Sequence, residues 1–400
     1  MTRGQKKTRA PKLRFPEFRD TVYWKEQELG EICEILNGQR VPIPSDDRRS
    51  GPYPYYGASG IVDYVDDYLF DERLVLVGED GAKWGAFERT AFIAEGMYWV
   101  NNHAHVLKCV GVIDTLLQHY LTMMDISTYI TGYAPPKLTL GKLKSIPIPV
   151  PVSLAEQRRI ADCLTSLDVL LAAEGRKLAA LRTHKKGLMQ QLFPRQGESR
   201  PRLRFPEFRD AREWDSRKLG ELGEVATGKT PSTGDSSLWD GNILFITPTD
   251  IVEGAKYQHT TRRHVAGTGA RVLPVGSIVY TCIASIGKMA ITSRPSVTNQ
   301  QINALTAHKN VVGEYVYYAL KLLTPRIKSM AASSTLSIIN KGDFEEICIP
   351  VPFDTAEQQR IADCLSSLGA LVAAASRKLD ALRTHKKGLM QQLFPSPDGE

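Results

Sequence analysis

In two stretches of this chain, residues 153–194 and 354–395, apolar side chains recur at alternating steps of four and three. The first carries Ile160, Leu164, Leu167, Leu171, Leu178, Leu181, Leu188 and Leu192; the second carries Ile361, Leu365, Leu368, Val372, Ala375, Leu379, Leu382, Leu389 and Leu393. That is the heptad seam of a helix that packs against another helix. Ser153 with Glu156, and Asp354 with Glu357, have the spacing of a capping box, and Pro194 and Pro395 end each run. About 39 residues at about 1.5 Å each make a rod of roughly 58 Å. A stripe this narrow has to bury itself on a partner, and the obvious one is its own copy, so an antiparallel coiled-coil pair is expected. Glu174 in the first copy and Lys185 and Lys386 in both interrupt the seam, either as register-fixing positions or at a frayed edge.

The stretches between have a different rhythm. Short β-branched and aromatic runs, DERLVLVG (71–78) and VGSIVYTCIA (275–284), alternate with Gly and Pro turns, and each stretch has one helical run, VIDTLLQHYLTMM (112–124) and VGEYVYYALKLL (312–323). Both return to the rods through a Pro-rich, edge-like strand, IPIPVP (146–151) and ICIPVP (347–352). The pattern predicts two globular domains of α/β (α+β) class.

The chain repeats itself. PKLRFPEFRD at 11–20 returns as PRLRFPEFRD at 201–210, nine of ten positions identical at an offset of 190. The segment 155–194 returns at 356–395 with 32 of 40 positions identical at an offset of 201, so the second half holds 11 more residues between the matched ends. Inside them only fragments align, such as VNNHAHVL (100–107) with TNQQINAL (298–305). The expected layout has seven parts. Residues 1–20 are a basic tail and repeat opening, 21–152 a first domain and 153–194 a long helix. Residues 195–210 are a linker and repeat opening, 211–353 a second domain, 354–395 a second long helix and 396–400 a tail. Such an internal repeat implies pseudo-twofold symmetry.

Composition narrows the class. A chain of 400 residues exceeds one ordinary core, and 42% hydrophobic with 24% charged residues fits a globular protein. No apolar run reaches the roughly 18 residues of a membrane helix, and the start MTRGQKKTRAPKLRF lacks the apolar stretch of a signal peptide. A cytoplasmic protein is expected. Six cysteines show no CxxC pair, and a net charge of +7 favours a polyanionic partner without deciding for one.

GEVATGKT (223–230) matches the spacing of a nucleotide-binding P-loop through Gly223, Gly228, Lys229 and Thr230. Its twin in the first half, reached by aligning LGEICEILNGQR (29–40), has Cys33, Gln39 and Arg40 in place of Gly223, Lys229 and Thr230. Pro231 and STGDSS follow where a phosphate-capping helix would begin. A turn at the start of a domain is expected, not an ATP site. His103 and His105 would share a face of a strand, yet two ligands without a third make a weak metal site. The D/N/S-P-P-Y/F/W tetrapeptide of amino-methyltransferases is missing, since Pro135 and Pro136 stand in APPKL, and Glu79, Asp80 and Lys83 lack nuclease spacing.

The whole layout resembles the specificity subunit of Type I restriction-modification enzymes. The resemblance rests on NGQRVP, YPYYGASGIVD, FDERLVLVGEDGA and NNHAHVLK in the first half. In the second it rests on TGKTPSTG, LWDGNILFITPTDI, TCIASIGKMAI, TNQQINAL and STLSIINKGDFEEICIPVP, and in both on the EQ-R-IADCL helices. It implies two target recognition domains held apart by paired helices, each reading one half of an asymmetric, interrupted double-stranded DNA target. It also implies a chain that does no bond chemistry and binds no cofactor. Two methyltransferase (modification) subunits would bring S-adenosylmethionine, and restriction (translocase) subunits would bring ATP and Mg.

Asn and Gln pair bidentately with adenine, and Arg or Lys with guanine. The DNA-reading candidates are therefore Asn101, Asn102, His103 and Lys83 in the first domain, and Asn299, Gln300, Gln301 and Lys288 in the second. Arg40, Trp84, Lys137, Lys229 and Thr230 join them as loop residues able to reach a phosphate, stack or pair. Asn101 and Asn299 serve equally well as supports of the fold. The basic RTHKKG segments (182–187 and 383–388) suit a surface for a repeated partner, a phosphate contact or a solvated helix end. A coiled-coil scaffold that reads no sequence, and a P-loop NTPase, are the competing functions.

Overall fold

A computed structural model describes residues 8–21, 23–267, 269–332 and 338–395. MTRGQKK of the basic start, the first four residues of STLSIINKGDFEEICIPVP and residues 396–400 lie outside them. Two compact units form: Met1–Arg176 with Ser376–Glu400, and Lys177–Ala375. The long helices run Leu154–Leu192 and Thr355–Leu393, and among the described residues no helix is long and apolar enough to cross a membrane.

In the first unit the strands that position the site are β1 (Trp24–Glu28), β2 (Cys33–Ile35), β3 (Ser50–Gly57), β4 (Leu74–Gly78), β5 (Ala91–Ala94), β6 (Met97–Val100), β7 (Ala104–Cys109) and β8 (Pro147–Val150), with helix α1 at Asp114–Met123. Strands β2-β7-β4-β5 form an antiparallel sheet, β3 pairs parallel with β6, and the Pro-rich β8 lies at an edge against β1. In the second unit the corresponding strands are β9 (Asp215–Lys218), β10 (Gly223–Thr227), β11 (Trp239–Ile246), β12 (Ile278–Thr281), β13 (Met289–Thr292), β14 (Ser296–Thr298), β15 (Ile302–Ala307) and β16 (Cys348–Val351), with helix α2 at Gly313–Ala332. The plan repeats: β10-β15-β12-β13 antiparallel, β11 parallel with β14, and β16 against β9. Inserts that align only in fragments thus share a core topology, to which the second unit adds a fifth strand, Tyr257–Gln258, parallel to β13. Helix α2 runs through Pro325 to Ala332, past the end its apolar run predicts, losing one backbone donor on the way.

The capping-box expectation is corrected. Ser153 Oγ does accept the Glu156 N–H at 3.4 Å, but the Glu156 carboxylate does not return to the cap. It takes Arg14 of the first repeat opening in a bidentate pair, at 2.6 and 2.7 Å, and the Trp24 indole N–H at 3.1 Å. Glu357 does the same with Arg204, at 2.7 and 2.8 Å, and Trp214 at 3.3 Å. The next residue ties the helix to its domain. Gln157 accepts from the Ile113 N–H at 2.9 Å and donates to the Pro151 carbonyl, as Gln358 does with Val312 at 3.0 Å and Pro352. This is the physical content of the EQ pair in the repeated motif.

Each unit is closed by the end of a long helix. Phe394 packs on Trp24 and Tyr120 with ring centroids 6.3 and 5.4 Å apart, and Phe193 packs on Trp214 and Tyr315 at 6.1 and 5.3 Å. The apolar seams supply Ile160 and Leu164 to the first core, and Ile361 and Leu365 to the second.

Among the described residues the polar interruptions of the seam are ion pairs in one unit and not in the other. In the first unit Lys386 meets Asp168 and Lys378 meets Glu174, both at 2.5 Å, so the segments run antiparallel. In the second unit the positions matching Asp168 and Glu174 are Gly369 and Ala375. There Lys185 stands 5.3 Å from the Tyr318 ring centroid, and a Cβ on Gly369 would lie 2.8 Å from its Nζ. Burial first, then the nearby Lys321 and Lys256, push the Lys185 pKa down from 10.5 to about 8. Its folded value thus lies below its unfolded one. The unfolded chain binds more protons between the two, and stability rises as pH climbs from about 8 to about 10. Gly369→Asp should recreate the missing pair, adding about 1 kcal/mol near neutral pH and flattening that rise. Urea titrations of both proteins at pH 7 and pH 10 test this; a variant that keeps the wild-type rise refutes it.

Candidate nucleic-acid interface

Antiparallel pairing brings the candidate residues of each half to one end of one sheet. In the first unit Ile35 faces Leu107, Gly78 faces Ala104 and Val77 faces Ala91. The segment leaving β2 (36–41), the β4–β5 loop (79–90) and the turn into β7 (101–103) therefore meet at that end. In the second unit Thr227 faces Asn303, Thr281 faces Ile302 and Tyr280 faces Met289, which gathers residues 228–235, 282–288 and 299–301 in the same way.

The first cluster is organised around Glu79, which is 8% exposed. Arg40 Nη1 reaches it at 2.6 Å and Lys137 Nζ at 2.8 Å. Burial works to raise the Glu79 pKa, but the hydrogen bonds from Arg40 and Lys137 outweigh it and the pKa falls. Arg40 also donates to the Ala104 carbonyl at 2.7 Å, so its guanidinium braces the cluster from inside. Lys137 is half-buried, its exposed face beside Asp80 at 4.0 Å.

The histidines do not share a strand face, because β7 begins at Ala104. His103 lies in the preceding turn, exposed, its Nδ1 on Asp80. His105 is buried: Nε2 donates to the Leu138 carbonyl at 2.7 Å, which leaves Nδ1 to accept from the Asn37 amide at 2.8 Å. Burial pushes its pKa down. Among the described residues no group of three His, Cys, Asp or Glu is placed to hold a metal.

Asn101 and Asn299 have identical jobs. Asn101 Oδ1 accepts from the His103 N–H at 2.8 Å, and its own N–H donates to Tyr56. Asn299 Oδ1 accepts from Gln301 at 3.2 Å, and its N–H donates to Ile246. These are Asx turns that set the backbone before β7 and β15. Trp84 is likewise turned inward, its indole N–H on the Gly78 carbonyl at 3.2 Å and its ring on the core. Gln301 is half-buried and accepts from the Asn299 amide at 3.0 Å.

What the turns present to solvent is Lys83, whose side chain is 80% exposed, with Asn102 and His103. The second unit presents Lys229 and Gln300, and the Thr230 hydroxyl donates to Gln300 Oε1 at 2.8 Å. Lys288 is half-buried with its Nζ 3.3 Å from the Pro248 carbonyl. Sequence reasoning missed the bracing of Glu79, although an acidic pair directly after the buried run LVLVG was a signal for it.

GEVATGKT is a strand and a turn. Residues Gly223–Thr227 are β10, with Gly223 fully extended. The Gly228 N–H donates to Ile302 at 3.0 Å, and a Cβ there would lie 2.2 Å from the Asn299 carbonyl oxygen. Gly228 thus lets the turns 228–235 and 299–301 touch. The next helical residues are a single turn, Ser236–Leu238, so no helix N-terminus faces the loop as a phosphate cradle needs.

The profile of the family described as Type I restriction modification DNA specificity domain matches residues 21–183 and 211–383. A Haemophilus influenzae protein provisionally named type I restriction enzyme specificity subunit is 28% identical over 369 residues, covering 90% of each chain. The type I restriction enzyme MjaIX specificity subunit of Methanocaldococcus jannaschii is 34% identical over 194 residues, 46% of this chain and 44% of its own. The crystal structure of the Type-I restriction-modification system S subunit from M. genitalium superposes with a TM-score of 0.69 at 16% identity, covering 97% of this chain and 99% of that one. A chain of a type I R-M system, solved to explain complex assembly and conformational transition, gives a TM-score of 0.53 at 18% identity, covering 93% and 98%.

Proposed function

The chain belongs to the Type I restriction modification DNA specificity domain family, and we propose that its two units read the two unlike halves of an interrupted DNA target for a type I restriction-modification complex. One observation carries this reading. Two units that share a core strand order gather corresponding turns at the same sheet end, yet one presents Lys83, Asn102 and His103 and the other Lys229 and Gln300. Identical frames with different tips suit an asymmetric target, since sequence is read by side chains at base edges.

In this reading the chain is not the catalyst. Methylation falls to two modification subunits carrying S-adenosylmethionine, and ATP and Mg belong to restriction subunits. The RTHKKG segments support a repeated docking surface: Arg182, His184 and Lys186 are exposed, as are Arg383, His385 and Lys387. The middle lysines turn away from that surface, Lys185 onto the Tyr318 ring of α2 and Lys386 onto Asp168.

The test is single-molecule sequencing of methylated adenines in cells with and without this gene. A two-part interrupted motif should vanish on deletion. If every methylated motif survives, the proposal fails.

A further inference from the structure

A cavity of about 480 Å³ lies in the second unit between the β12–β13 loop and helix α2. Three lysines line it, Lys288 from the loop and Lys321 and Lys328 from the helix, with one exposed carboxylate, Glu253, at the rim. Among the described residues none of the three is in an ion pair. Lys321 is held in place, with its Nζ 5.6 Å from the Tyr317 ring centroid. Burial pushes its pKa down, against the pull of Glu253.

The loop is fixed on the helix by shape. Gly287 has φ +90, and a Cβ there would lie 2.4 Å from Thr324 Cγ2 and 2.9 Å from Lys328 Cε. The close approach keeps Lys288 beside the two helical lysines. The first unit has a cavity of about 380 Å³ at the matching place, between the β4–β5 loop and α1, but no lysine lines it. Matching Ile113 to Val312 through their shared glutamine bonds puts Thr122 where Lys321 stands and Tyr129, in the single helical turn Ser127–Tyr129, where Lys328 stands.

We propose that this cavity takes a phosphodiester of the DNA backbone, gripping the half-site read by the second unit. Three lysines lining one opening, with Lys288 giving one of its three N–H donors to the Pro248 carbonyl and only a rim carboxylate against them, suit an anion with several acceptor oxygens. The same loop joins the reading turn, because the Cys282 N–H donates to the Gln301 carbonyl at 2.8 Å. That continuity favours backbone phosphate over a free anion. The inference rests on DNA binding by the family and adds a contact that positions without reading sequence.

The test uses the full chain in complex with its modification subunit, titrated with a 40-base-pair duplex carrying its motif, and with a scrambled duplex, across a salt series. Lys321→Gln with Lys328→Gln should weaken both by roughly tenfold and lower the magnitude of the salt slope by about 1 to 2, with the ratio between duplexes kept. Lys321→Arg with Lys328→Arg should restore most of the loss. Unchanged affinity and slope, or a changed preference between duplexes, overturns the proposal. So does saturation of the site by inorganic phosphate with no effect on duplex binding. A wild type that prefers neither duplex would refute sequence reading, while the slopes on scrambled duplex would still judge the cavity.

Discussion

Glu357→Ala is expected to destabilise the second unit by about 3–5 kcal/mol while leaving the first near its wild-type stability. The size follows from what stays behind. Glu357 is 1% exposed and Arg204 only 8%, so the variant leaves a largely buried guanidinium with the Ala211 and Arg212 carbonyls but no counter-charge, and removes the Trp214 indole's acceptor. The carboxylate is also the junction of two distant parts of the chain, the repeat opening near 204 and the start of the long helix. Hydrogen exchange read unit by unit is the measurement, because a two-unit protein does not unfold in one transition. Protection should fall around residues 203–219 and 355–365, and Glu156→Ala should mirror this around residues 13–29 and 154–164. Replacing both partners, Arg204→Met with Glu357→Leu, should cost less than the single change. Equal loss in both units from Glu357→Ala would mean that the two clamps are not independent.

That clamp shows where sequence reasoning stops. The long helices were legible because a heptad is a local signal, repeated every few residues and ended by proline. The role of Glu156 was not legible, because its partner Arg14 is 142 residues away and the local spacing imitates a capping box. The repeated openings and helix starts were visible as duplicates, but not that they meet. The inserts hid their common topology for a related reason. Short buried strands tolerate any apolar side chain of suitable size, so Leu76 and Val279 fill alike positions with little shared sequence. The candidate site was legible as residue types near strand ends, and pairing then brought them together. Which of them point outward was not, because Asn101 and Asn102 are neighbours with opposite roles, one an Asx acceptor and one exposed. The same holds for Arg40, which reads as a loop cation and is an internal brace.

The outward residues carry the other large effect. Gln300→Ala should relax one base position in the second unit's half of the target and leave the other half intact; Asn102→Ala should do the converse. A bidentate amide-to-base contact contributes about 1–3 kcal/mol of discrimination, so methylation of singly substituted targets should gain roughly 5- to 150-fold relative to wild type at that position alone. Methylation rates of the reconstituted complex on duplexes substituted base by base measure it. Asn299→Ala provides the contrast. Its loss removes the acceptor for the Gln301 N–H and the bond to Gln301 Oε1, so the turn loosens and activity falls on every target without a change of preference. Should Gln300→Ala behave like Asn299→Ala, the exposed amide would be a support of the turn through Thr230, and base reading would have to lie with Lys229. A Gln300→Ala protein with an unchanged target profile and rate would remove that residue from the interface altogether.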